Sequence, residues 1–166
     1  VKTSVDTLSR QGGYAQPDGS ILYEGNQVQY LCYTAQYYQQ CVVQQPLIKT
    51  KFEKELTNLI DDSVKDSLTQ LQEEYRNKGY TVSAAEEVVT GVLIVPEKII
   101  VSVNAPMSIS KEDFTQSFTE FNIETPSKMY DLLMIATSII DYESTYGNTE
   151  TTLYTQYYPN LIIHKN

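Results

Sequence analysis

Residues 46–78 read PLIKTKFEKELTNLIDDSVKDSLTQLQEEYRNK. Ile48, Phe52, Leu56, Leu59, Ile60, Val64, Leu68, Leu71 and Tyr75 recur every three or four residues, the spacing that lines one face of an α-helix. Pro46 suits the first helical position and Gly79 the position after the last. Glu53, Lys54, Asp61, Asp62, Lys65, Glu73 and Glu74 largely fall on the other faces. The rise of an α-helix gives this rod a length of roughly 45–50 Å. Apolar along one stripe only, it needs a sheet or another helix beside it.

Downstream of the rod the period changes. From Tyr80 the chain is β-branched and alternating, with Val88, Thr90, Val92 and Ile94 on one side, followed by Ile99, Val101 and Val103. Pro96-Glu97 between the runs predicts a tight hairpin turn, and residues 114–125 predict a third strand with Phe121 and Ile123 inward. Three antiparallel neighbours in a meander are the simplest arrangement. A second helix is expected next, with Thr125 as its cap and Pro126 at its first position. Met129, Leu132, Leu133, Ala136, Ile139 and Ile140 would form its buried face, and Gly147 would end it. A polar loop over 148–152 then leads to a final strand over 161–164. The order predicts an α+β fold: an antiparallel sheet of three to five strands, with the long helix and the second helix packed on one face.

Residues 1–45 are polar, glycine-punctuated and rich in Tyr and Gln. Val1, Val5 and Leu8 predict a short helix ended by Gly12-Gly13, Pro17-Asp18-Gly19 predicts a turn, and residues 21–33 predict a short strand or two. The 166 residues read as a single exported domain, the Tyr/Gln-rich segment 1–45 preceding a helix-meander-helix-strand core over 46–166. Fourteen Tyr with no Trp and only four Phe is an uncommon balance. Tyr combines an apolar ring with a polar tip, which suits either the rim of a core or a contact surface. Tyr14, Tyr30, Tyr33, Tyr37 and Tyr38, crowded into one segment, are the candidate binding residues.

The net charge of −9, from 21 acidic and 12 scattered basic residues, argues against nucleic acid, whose phosphates require clustered Lys and Arg. It argues equally against docking on anionic lipid. Cys32 and Cys41 fit one disulfide in an oxidising compartment, whereas two free buried thiols would fit a cytosolic protein. The bridge is favoured, because the stretch has little apolar content to hold it otherwise. Met129 to Ile140, the most apolar stretch, is too short to span a bilayer. The chain opens at Val1 and closes just after Leu161-Ile162-Ile163, so both ends read as cut; any membrane anchor is expected outside these residues.

Catalytic chemistry finds little footing. His164 stands alone near the end, and neither Cys32 nor Cys41 has another histidine to serve as base. Gly-x-Ser-x-Gly, Walker and Gly-x-Gly-x-x-Gly motifs are missing, as are zinc spacings, an EF-hand loop and Asn-x-Ser/Thr sequons. No cofactor and no metal are therefore expected. Paired carboxylates remain: Asp61, Asp62 and Asp66 on the rod, and Glu86-Glu87 opening a strand. They would hydrolyse glycosides only if two faced each other across a groove; the solvated face of an amphipathic helix accounts for the first three.

Several phrases carry a resemblance when taken in order. They are Val1-Lys2-Thr3-Ser4, the Gln11-Gly12-Gly13-Tyr14 turn, the long acidic helix, the run from Val103 to Lys111, the run from Phe121 to Pro126, and Tyr157-Tyr158-Pro159. Together they resemble a family of uncharacterised archaeal membrane-anchored proteins from small-genome lineages. That resemblance implies an exported domain behind an N-terminal hydrophobic helix similar to a pilin leader, and it implies no activity. It also implies cysteines near Ser4 and Ser67, so that these two serines would face each other within disulfide range. The resulting expectation is a non-enzymatic cell-surface or extracellular domain, placed on the outer face of the membrane, that binds or assembles with a protein or glycan. A structural subunit of a pilus-like filament and a carboxylate-dependent glycoside hydrolase are the alternatives.

Overall fold

The computed structural model describes residues 1–34, 39–41, 43–147 and 149–164. Its elements are α1 (Lys2–Arg10), β1 (Ser20–Tyr23), β2 (Asn26–Gln29), β3 (Cys32–Tyr33), β4 (Val43–Gln44), α2 (Ile48–Asn77), β5 (Thr81–Ala84), β6 (Val89–Val95), β7 (Lys98–Lys111), β8 (Phe114–Pro126), α3 (Met129–Tyr146) and α4 (Thr152–Tyr157). The fold is α+β, as the order of periodicities requires.

The 30-residue helix α2 is unbroken, and Ile48, Phe52, Leu56, Ile60 and Leu68 are its buried residues. It begins two residues later than Pro46 suggests, because Leu47 adopts a left-handed conformation (φ 53°) that cannot continue a helix. Its end follows the sequence signal. Gly79 takes φ +81°, its N–H bonds to the carbonyl of Arg76 (2.9 Å), and the N–H of Tyr80 bonds to that of Tyr75 (3.0 Å). These two bonds make a Schellman motif, and its customary side-chain contact is the Tyr75–Tyr80 ring pair, edge-on at 5.6 Å.

Strand β7 is the spine of the main sheet. It pairs antiparallel with β6 over 98–104, with β5 over 107–110, and with β8 along its other side. β6, β7 and β8 thus form the expected meander, turned at Pro96-Glu97, where Glu97 has φ 69°. The 14-residue length of β7 and the short strand β5 were not legible. A register shift between Asn104 and Met107 separates the β6-paired half from the β5-paired half, and Pro106, which has no N–H, sits within it.

The core lies between α2 and β6/β7. Ile94, Ile99, Val101 and Val103 meet the α2 stripe, with Leu8 from α1 and Met129, Leu133 and Ile140 from α3 closing the sides. Glu53 adds a polar clasp: the N–H of Ile94, on the free edge of β6, donates to its carboxylate (2.8 Å), and Lys49 pairs with the same oxygen (2.5 Å). An edge N–H is thereby capped by the helix that covers the strand.

Four expectations are corrected. Thr125 and Pro126 remain in β8, because Thr125 pairs with Ile99 and the N–H of Ser127 bonds to the carbonyl of Glu97 (2.8 Å). α3 accordingly starts at Met129, whose N–H donates to Ser127 Oγ (3.1 Å). Leu132 is 46% exposed at the rim of the core, and Ile135 is buried instead. Ile123 lies opposite Val101 on the helix-facing side but is 52% exposed, since α2 packs over β6 and β5 and leaves β8 open. Residues 161–164 form no strand; a turn from the N–H of Leu161 to the carbonyl of Tyr158 (2.8 Å) follows α4, and Ile162 is 76% exposed with no sheet face to cover it.

Leu56 is fully buried at the centre of the helix–sheet contact. Leu56→Ala should lower the unfolding free energy by roughly 3–5 kcal/mol in a urea titration; a loss below about 1 kcal/mol would contradict this placement of the core.

Candidate functional site

The Tyr/Gln-rich segment is bound to the start of α2 by a polar tether. Tyr14 donates its hydroxyl to Gln45 Oε1, and the Lys51 ammonium lies 4.7 Å from the Tyr14 ring centre. Lys51 also pairs with Glu55 Oε1 (2.7 Å), while the N–H of Ala15 donates to Glu55 Oε2 (3.2 Å). Burial pushes the Tyr14 phenol above its ordinary value. Burial also pushes the Glu55 carboxyl up, but Lys51 and the Ala15 N–H together outweigh it and hold the group below its ordinary value. Tyr14 is therefore a brace in the wall, with its hydroxyl already committed.

β1 and β2 form a two-residue hairpin in which Glu24 and Gly25 both have positive φ, the signature of a type I′ turn. α1 ends against this hairpin. Gly12, at φ +70°, lies so near Gln29 that an added Cβ would stand 3.0 Å from its carbonyl oxygen. Gln29 in turn fixes the 17–19 turn with two bonds to the backbone of Asp18, each 2.7 Å.

Two hollows open on this scaffold. The first, about 630 Å³, is walled by Tyr14, Asp18, Gln29, Leu31 and Gln45. The second, about 880 Å³, is walled by Cys32, Gln40, Cys41, Glu143 and Tyr146. Tyr30, Tyr33 and Thr34 belong to both. The Tyr30 and Tyr33 rings stand 6.0 Å apart between the hollows and are 43% and 48% exposed. Among the described residues neither wall contains Lys or Arg. Tyr37 and Tyr38, the other two candidate binding residues, lie outside the described residues.

The Cys32–Cys41 disulfide is formed, with its Cα atoms 5.6 Å apart. Both cysteines wall the second hollow, and the bridge fits an oxidising compartment. Gln40, next to Cys41, donates to the carbonyl of Thr145 near the end of α3. Glu143 and Tyr146 reach the hollow from that end, and the Tyr146 ring lies 5.0 Å from that of Tyr142, tilted by 49°. Sequence reasoning missed Asp18, Glu143 and Tyr146 as wall residues. The last two are more than 100 positions from Tyr33, and only their closeness to Gly147 at the helix end offered any local signal.

The remaining candidates are dispersed. His164 stands 6.3 Å from the Tyr23 ring, away from both hollows. Asp61 is paired with Lys65 (2.6 Å), which holds its carboxyl below the ordinary value. Asp61, Asp62, Asp66, Glu86 and Glu87 wall neither hollow. Ser4 and Ser67 border one apolar hollow of about 440 Å³ between α1, α2 and β8, together with Val64, Leu68 and Ile123. No cluster of potential metal ligands occurs among the described residues, and none of their helices is long and apolar enough to cross a membrane. Comparisons with protein-family models, curated proteins and solved structures find no match to this chain.

Because folding depresses the Glu55 pKa, its stabilisation is present above the unfolded carboxylate range and is lost as pH falls through the folded value. Glu55→Gln should cost about 1–2 kcal/mol at neutral pH, and the gap to wild type should close in acid. Urea titrations across the acid range check this; a gap that stays constant with pH would contradict the tether.

Proposed function

We propose that this chain is a non-enzymatic extracellular domain that binds a partner at the outer surface of a cell. The single observation that supports this most is the half-exposed Tyr30–Tyr33 pair, set between two hollows on a braced scaffold. Exposed aromatic rings with a hydroxyl tip supply large contact area with little side-chain entropy to lose on binding. The scaffold beneath them is held by a disulfide, by the Gln29–Asp18 bonds and by the Tyr14–Gln45 bond, so the surface is ordered before a partner arrives. The disulfide supports an oxidising location, and the outer face of the membrane is the location proposed here.

The test is sedimentation with isolated cell envelopes. Wild type should co-sediment, and the Tyr30→Ala/Tyr33→Ala double variant should lose roughly tenfold in affinity or more. Its melting temperature should stay close to wild type, because both rings are already half in water. Equal retention of the two proteins would overturn the assignment of this surface.

A further inference from the structure

We infer that the groove across Tyr30 and Tyr33 takes an uncharged oligosaccharide, a ligand rich in hydroxyl donors with flat C–H faces. This rests on the binding-domain reading above and narrows it to one ligand chemistry.

The inference comes from which wall groups are already engaged. The Gln29 amide is fixed to Asp18, the Gln45 amide to Tyr14 and to the carbonyl of Pro46, and the Gln40 amide to Thr145. These hold the walls in place. The hydroxyls of Tyr30, Tyr33 and Tyr146 and the carboxylates of Asp18 and Glu143 make no hydrogen bond among the described residues. An ionised carboxylate only accepts, and a phenol both donates and accepts. The Gln39 amide, also in the second wall, adds one acceptor and an NH2 donor; beside two carboxylates and three phenol oxygens it leaves the described wall richer in acceptors than in donors, which favours a ligand rich in donors.

Charge and polarity remove the main competitors. With no Lys or Arg in either wall among the described residues, and with the Asp18 and Glu143 carboxylates unpaired among them, an anionic ligand such as a phosphate or an acidic sugar would be repelled. Leu31 is the only aliphatic wall residue among the described residues, too little to hold a lipid chain. A peptide backbone presents a carbonyl at every residue, and each carbonyl left unbonded on burial is costly; this wall offers few donors to meet them. A pyranose fits on both counts. Its C–H face lies on a tyrosine ring, and its rim of hydroxyls donates to Asp18, Glu143 and the phenol oxygens. Two rings 6.0 Å apart, with a hollow on either side, call for a chain of sugars rather than one.

Isothermal titration against uncharged hexasaccharides of glucose, mannose, galactose and N-acetylglucosamine, with a polyuronate as the acidic comparison, tests this. At least one uncharged oligomer should bind, with an affinity the same at low and high salt, and the polyuronate should not. Tyr33→Ala should weaken that binding roughly tenfold or more, and Tyr33→Phe, which keeps the ring, should weaken it less. Asp18→Asn should also weaken it while the melting temperature holds. Two results would overturn the inference: no uncharged oligomer binds, or a Lys-rich peptide binds in their place with an affinity that salt abolishes. If envelope binding through Tyr30 and Tyr33 survives either result, the binding-domain reading stands and only the ligand class falls; if envelope binding fails as well, both fall.

Discussion

Every other feature depends on the contact between the apolar stripe of α2 and the β6/β7 face. Ile48, Phe52, Leu56 and Ile60 follow one another at four-residue steps, and each is at least 95% buried against strands that present Ile94, Ile99, Val101 and Val103. Fully burying side chains of this size contributes about 1.5–3 kcal/mol each. An isolated helix is marginal in water, so the sheet is what keeps these turns helical. The sheet in turn depends on the helix, which covers its one buried face and caps the edge of β6 through Glu53. Each layer buries the apolar face of the other.

The same contact positions the candidate site. The first turns of α2 carry Lys51 and Glu55, which hold Tyr14 and Ala15, while Gln45 stands just ahead of the helix. Leu8, fully buried, places α1 in the same core, and α1 then abuts the β1/β2 hairpin at Gly12. α3 packs alongside α2, so its last turns bring Glu143 and Tyr146 beside the Cys32–Cys41 disulfide. Three distant parts of the chain therefore converge on the Tyr30–Tyr33 pair. The far end of α2 is anchored differently: Lys111, at the end of β7, donates to the carbonyl of Lys78 (3.0 Å) and lies over the Tyr80 ring (5.0 Å). The two ends of the rod thus serve separate purposes, one holding the binding surface and one fastening the sheet.

Legibility in the sequence followed how local each determinant was. The α2 period, the stop at Gly79 and the Pro96-Glu97 turn are set by neighbours in the chain, and all three were readable. The cysteine bridge was readable from the composition around it. The start of α3 was misplaced because Thr125 and Pro126 carry a good helix-start signal that is overridden by pairing with β7. Residues 161–164 read as a strand on composition, but a strand needs an edge and a covering layer, which no single segment reveals. Ile123 alternates correctly yet stays half open, since alternation gives the face and not the reach of the helix above it. Among the binding candidates, Tyr30 and Tyr33 come together, Tyr14 turns inward as a brace, and the carboxylates that complete the walls come from beyond the Tyr-rich segment.

Amide hydrogen exchange under mildly denaturing conditions tests the mutual dependence of helix and sheet most directly. The amides of Phe52, Leu56 and Ile60 should exchange only through global unfolding, with the same free energy and denaturant slope as those of Val101 and Val103. Faster exchange of the helix amides, with a smaller slope while the strand stays protected, would show that α2 opens alone and would contradict the account.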